Sequence, residues 1–253
     1  MQQEGVEKYS RLAEHPLHGF ESSLPYNVGI IFSGGMPSTD ARRTLVVTGT
    51  PRGGTTAIAQ CIATLGVPIG VPVPPAPEQF NYEDPAFLEI LQMDIPREVN
   101  LEELRNLVRC RNEAHQTWGF KLPMALNSLP VLERELRNPM FVFVFRDLVA
   151  VSSREVIANG DHAIAAMARA LDWQRRMLDF IAATASPCLL ISYEKALQFA
   201  DLLPPVLSRW AGLSCAESLL NEASTNIAAN SNQYLRGVRS QCDQLGIPVP
   251  PRA

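Results

Sequence analysis

The chain has 253 residues, 46% of them hydrophobic and 19% charged, which suits one α/β domain with insertions, or two small domains at most, and excludes overall disorder. A net charge of −4 argues against general binding to nucleic acid or membrane surfaces, because that attraction rests on clustered Lys and Arg. Five cysteines stand singly (Cys61, Cys110, Cys188, Cys215, Cys242), an odd number with no C-x-x-C pair, so neither a disulfide scaffold nor a zinc site is expected and a cytoplasmic setting is.

In chain order, residues 1–43 are polar and irregular and read as an N-terminal extension, with no signal-peptide core at the start. Thr44 to Thr48 is a β-branched run read as a buried strand, followed at once by Gly49-Thr50-Pro51-Arg52-Gly53-Gly54-Thr55-Thr56. Ile58, Ile62 and Leu65 then recur at helical spacing before Gly66. Six prolines between Pro68 and Pro85 forbid regular structure through most of that stretch. Helices are expected near 86–93 and 101–115, a short strand at 118–122, and a helix at 126–137. Met140 to Phe145 is the second strong strand and ends in Arg146-Asp147. This apolar run is far short of the roughly 20 residues that span a bilayer, so no integral membrane segment is expected. Helices at 148–158 and 162–184 follow, then a third buried strand at Cys188 to Ser192 and helical sequence to about 245, before a Pro-rich tail at 246–253. Strands alternating with helices imply a single α/β domain over 44–245, with a mostly parallel central sheet between two helical layers. A ligand in such a sheet lies beyond the carboxyl ends of the strands.

Gly49-x-x-x-x-Gly54-Thr55-Thr56 has the spacing of a phosphate-binding P-loop but lacks its lysine, since Thr55 stands there. An anion cradle survives the loss. Gly49, Gly53 and Gly54 allow close backbone approach, successive N–H groups converge at a helix N-terminus, and Arg52 can grip oxyanions in a bidentate way.

Thr50 to Thr56 resembles the 5′-phosphosulfate loop (T-x-P-[RK]-S-G-T-T) of the sulfotransferases that use 3′-phosphoadenosine 5′-phosphosulfate (PAPS), with Gly53 in place of the usual Ser. Phe141 to Ser153 is similar to that family's second signature, a strand ending in Arg followed by a helix that carries a Ser. The resemblance implies a nucleoside-triphosphate-hydrolase-like sulfotransferase architecture with PAPS as sulfuryl donor and no metal. It assigns Arg52, Gly53, Gly54, Thr55 and Thr56 to the 5′-phosphosulfate, and Arg146 with a serine to the 3′-phosphate. The usual spacing falls on Arg154 rather than on Ser152 or Ser153; Ser153 is preferred, and the three stay open. Trp118 to Pro123 resembles the strand where the family places a Lys near the sulfuryl group, which nominates Lys121. Ile191 to Leu197 resembles a strand-to-helix segment that nominates Tyr193 for the adenosine site, and Asn232 to Arg239 echoes a late basic loop.

Sulfuryl transfer needs a base for the acceptor proton. The resemblance to carbohydrate- and protein-type members, which use a Glu from the loop region after the first helix, nominates Glu78 and Glu83. Glu83 ranks ahead because Tyr82 and Phe80 would desolvate it, and His162 beside Asp161 is next. The implied acceptor is a hydroxyl or amine of a carbohydrate, lipid-linked glycan or small metabolite. Two other readings fit part of the pattern: a P-loop kinase or nucleoside triphosphatase with a displaced cation and Asp147 as metal ligand, and a sulfotransferase-like binding protein without activity.

Overall fold

Residues 28–70, 81–91, 99–123, 125–160 and 162–229 are described by the structure, a computed structural model. Five strands form one sheet in the order β1-β5-β4-β2-β3, where β1 is Ile30–Ser33, β2 Arg43–Gly49, β3 Thr117–Lys121, β4 Pro139–Phe145 and β5 Cys188–Ser192. All neighbours are parallel except β1, which runs antiparallel to β5.

Side chains alternate across a strand, so the apolar runs of β2 and β4 feed two cores at once. Leu45, Val47, Val142 and Val144 face one helical layer, built from α1 (Thr55–Thr64), α7 (Tyr193–Gln198), α8 (Leu203–Trp210) and α9 (217–229). Val46, Phe141 and Phe143 face the other, built from α2 (Pro85–Leu91), α3 (Leu101–Ala114), α4 (Leu129–Glu135) and α6 (Ala163–Ala183). The remaining helix, α5 (Leu148–Asn159), leaves the end of β4 and packs along α6. Residues of both strands that point into these cores are fully buried, each fully apolar side chain contributing about 1.5–3 kcal/mol.

The strand order places β3 on one side of β2 and β4 on the other. Chain connections therefore diverge at the carboxyl end of β2, opening the crevice in which doubly wound sheets bind ligands. The phosphate loop and Arg146 both leave the sheet there.

Two local differences from the sequence reading have physical causes. Residues 30–33, read as part of an irregular extension, form edge strand β1, whose partner lies far along the chain and whose Ile31 remains exposed. Left-handed glycines bracket it; a Cβ on Gly34 would lie 1.9 Å from the Ser186 carbonyl oxygen. The helix expected at 126–137 is a 3₁₀ turn at Ala125–Asn127 followed by α4, because Pro130 starts a new helical turn. Residues 1–27, the 230–253 stretch with its basic Asn232 to Arg239 segment and Pro-rich tail, Glu78, Phe80 and Asp161 lie outside the described residues.

Candidate active site

The loop after β2 is a tight turn with no room for side chains at its glycines. The Gly53 N–H donates to the Thr50 carbonyl at 2.8 Å, and a Cβ on Gly53 would lie 2.6 Å from that oxygen and 2.7 Å from Thr50 Oγ1. This accounts for glycine where the resembling family carries serine. Thr50 Oγ1 is itself buried with no hydrogen-bond partner among the described residues. Gly54 has φ +92°, and a Cβ there would lie 2.3 Å from the Tyr193 ring. Arg52 adopts a left-handed φ of 61°, uncommon for a residue with a side chain.

Gly54 is also the N-cap of α1, and no side chain caps it, nor does an acid stand in the first turn. Asn100, Asp147 and Ser192 cap α3, α5 and α7, whereas α4, α6 and α8 lack a side-chain cap as α1 does. An uncapped N-terminus with its positive dipole end, opening from a glycine cradle, suits an oxyanion. The fit to a 5′-phosphosulfate thus rests on a cradle that a Cβ would fill, a cation in the loop, and an orphaned hydroxyl beside it.

Lys121, at the carboxyl end of β3, is brought to the same place. Its Nζ lies 3.2 Å from Thr56 Oγ1 and 2.9 Å from Glu83 Oε1. The ammonium is almost wholly buried and the Glu83 carboxylate mostly so. Glu83 is held there by its neighbours. The Tyr82 carbonyl accepts the Lys121 N–H at 2.9 Å, and Asn81 Oδ1 accepts the Glu83 N–H at 3.1 Å. Burial also pushes the Tyr82 phenol above its ordinary pKa. Asp84, 2% exposed, accepts from Arg111 through Oδ2 and from the Ala86 N–H through Oδ1, which starts α2. Phe87 of α2 stacks on Phe120 of β3 with ring centroids 4.1 Å apart. The loop bearing Glu83 is thereby clamped to β3 on both sides.

Arg146 is buried beneath the loop. Its Nη1 donates to the Arg52 carbonyl at 2.8 Å, its guanidinium lies 4.9 Å from the Tyr193 ring centroid, and Nε is 3.7 Å from Glu194. Tyr193 packs between Gly54 and Arg146 as the first residue of α7. Both side chains support the loop from below in this arrangement. Ser152 is buried and Ser153 exposed, and both hydroxyls donate back to helix carbonyls, at Leu148 and Val149 respectively. Asp147 Oδ1 accepts the Ala150 N–H, so this strand-end acid is engaged in capping α5. His162 is exposed at the N-cap of α6.

Four supporting contacts were not visible in the motifs. Glu155 of α5 lies 3.5 Å from Arg52 Nε. Trp173 Nε1 donates to the Gly49 carbonyl, and Gln174 donates to the Arg146 carbonyl. The fourth is the Asp84–Arg111 pair. The helical stripe of α6 reads as core packing, and its Trp173-Gln174 step reaches the loop ends only because α6 crosses the carboxyl edge of β2 and β4.

No family model matches the sequence, and no curated protein does. Solved structures do. The sulfotransferase domain of the olefin synthase of Synechococcus PCC 7002 superposes with a TM-score of 0.51 at 17% identity, over 74% of this chain and 78% of that one. Sulfotransferase STF1 of Mycobacterium tuberculosis H37Rv gives 0.51 at 16% identity, over 73% and 71%. The chain has the sulfotransferase fold, a P-loop-containing, nucleoside-triphosphate-hydrolase-like arrangement.

Proposed function

We propose that the protein is a sulfotransferase that takes its sulfuryl group from PAPS and passes it to a hydroxyl or amine of a carbohydrate, lipid-linked glycan or small metabolite. One observation carries the reading: an uncapped helix N-terminus in a glycine cradle after β2 adjoins a Lys121–Glu83 pair at the carboxyl end of the neighbouring strand β3.

Bound in the cradle, the donor supplies an activated sulfuryl group, whose bond to the bridging oxygen breaks as the acceptor oxygen bonds to sulfur. The chain's residues do the rest. The α1 N-terminus at Thr55 and Thr56, with Arg52, holds the terminal oxyanions. Lys121 Nζ, fixed between Thr56 and Glu83, neutralises charge that develops on the leaving bridge oxygen. Glu83 accepts the acceptor's proton, at an oxygen already within reach of Lys121. Arg146 with Ser153 or its neighbours would meet the 3′-phosphate, Arg146 also anchoring the loop through the Arg52 carbonyl.

The test is isothermal titration with adenosine 3′,5′-bisphosphate, without and with Mg²⁺. Metal-independent binding that weakens at least tenfold in Arg52→Ala is expected. No binding at high micromolar ligand by folded protein would refute the donor assignment, and Mg²⁺-dependent ATP binding would favour a kinase or triphosphatase.

A further inference from the structure

Each of three cations beside the phosphate loop has a carboxylate within 4 Å. Arg52 has Glu155 at 3.5 Å, Lys121 has Glu83 at 2.9 Å, and Arg146 has Glu194 at 3.7 Å. The two latter pairs have evident uses, Glu83 as base and Glu194 as acceptor of the Asp147 N–H. Glu155 Oε2 accepts from Asn159 Nδ2 one helical turn on, at 2.6 Å, which leaves Oε1 turned to Arg52. Glu155 stands two turns into α5, only 18% exposed, and contacts the one cation that belongs to the loop itself.

We propose that Glu155 sets the anion selectivity of the loop: by neutralising Arg52 it favours a terminal sulfuryl group over a phosphoryl group of the same shape. The proposal rests on the donor-site reading above. A sulfate ester carries one negative charge on its terminal group, whereas a terminal phosphate carries close to two near neutral pH. Backbone N–H donors bind both with similar geometry. What distinguishes them is the local charge, and here each of the three cations has a carboxylate within 4 Å.

The loop has Thr55 where a triphosphate-binding loop has lysine, so Arg52 is its own cation. The Arg52 backbone is pinned by Arg146 at the carbonyl, and its half-exposed side chain meets Glu155 through Nε. An arginine engaged at Nε keeps both Nη groups for an oxyanion, so hydrogen bonding is retained while net charge is cancelled. A second charge on the ligand then gains little from Arg52 and is repelled by the partly desolvated Glu155 carboxylate.

The isosteric pair adenosine 5′-phosphosulfate and ADP isolates this term, because they differ in the terminal sulfuryl or phosphoryl group. Titrating both into the full chain and into Glu155→Gln should show ADP gaining about 3- to 10-fold in affinity relative to the phosphosulfate, a range set by one screened charge at the site's rim. Glu155→Asp, which keeps the charge, should keep the wild-type ratio. Thermal melts within about 2 °C of wild type would tie these ratios to the site. An unchanged ratio in Glu155→Gln, or equal weakening of both ligands, would overturn the inference and leave Glu155 as a support for Arg52 alone. If neither nucleotide binds either protein, the donor-site reading fails and the inference falls with it.

Discussion

Asp84→Ala tests whether the loop carrying the proposed base is held by the buried ion pair. Asp84 Oδ2 accepts from Arg111 Nε at 2.9 Å and pairs with Nη2 at 2.8 Å, while Oδ1 caps α2 through the Ala86 N–H at 3.1 Å. Breaking a fully buried pair costs about 3–5 kcal/mol. Arg111 is 29% exposed and can rehydrate, so about 2 kcal/mol is the appropriate share. Loss of the cap adds about 1 kcal/mol. The sum, about 3 kcal/mol, should appear in urea unfolding followed by circular dichroism, with a melting-point drop of about 6–12 °C for a chain of this size. Asp84→Asn retains a capping oxygen and loses the charge, so it should cost only about 2 kcal/mol. Because Glu83 is the next residue, turnover should fall at least tenfold in Asp84→Ala, with donor affinity little changed. A loss below about 1 kcal/mol, or a double-mutant cycle with Arg111→Ala showing no coupling, would refute the clamp.

Gly54→Ala must put a side chain at φ +92° and against the Tyr193 ring, so it should cost about 2–4 kcal/mol in unfolding experiments and abolish adenosine 3′,5′-bisphosphate binding. Lys121→Met should lower kcat about 10²- to 10³-fold, with affinity for the bisphosphate changing less than about tenfold; kcat within threefold of wild type would remove Lys121 from the chemistry. Burial pushes the Cys61 thiol up to about 12 and the Cys188 thiol still higher, from an ordinary value of 9.0. Among the described cysteines, only exposed Cys110 and half-buried Cys215 should react with Ellman's reagent at pH 8 in folded protein. Above pH 9 the unfolded chain releases these protons while the folded one keeps them. Stability should therefore be full below pH 9 and fall as pH rises toward 12, by up to about 1.4 kcal/mol per pH unit for each thiol.

Local sequence determined the parts of this protein whose physics is local. The apolar runs of β2, β4 and β5 declare buried parallel strands, and their burial follows from having helices on both faces. The glycine spacing after β2 declares an anion loop, because only glycine tolerates the approach of Thr50 and Tyr193 to its backbone. Edge strand β1 escaped, since four residues between glycines carry no pattern until β5 supplies a partner.

Tertiary structure alone decided which charges meet. Lys121, the last residue of β3, and Glu83 lie on either side of α2 and α3 in the chain, and they pair because α2 stacks on β3. Arg146, read as an anion ligand, is also a brace for Arg52, a role set by the parallel register of β2 and β4 rather than by its own neighbours in sequence. Glu155 gains its importance the same way, from a helix leaving β4 alongside the loop. Charge pairing depends on distances of a few ångströms between remote segments, which spacing along one chain does not encode.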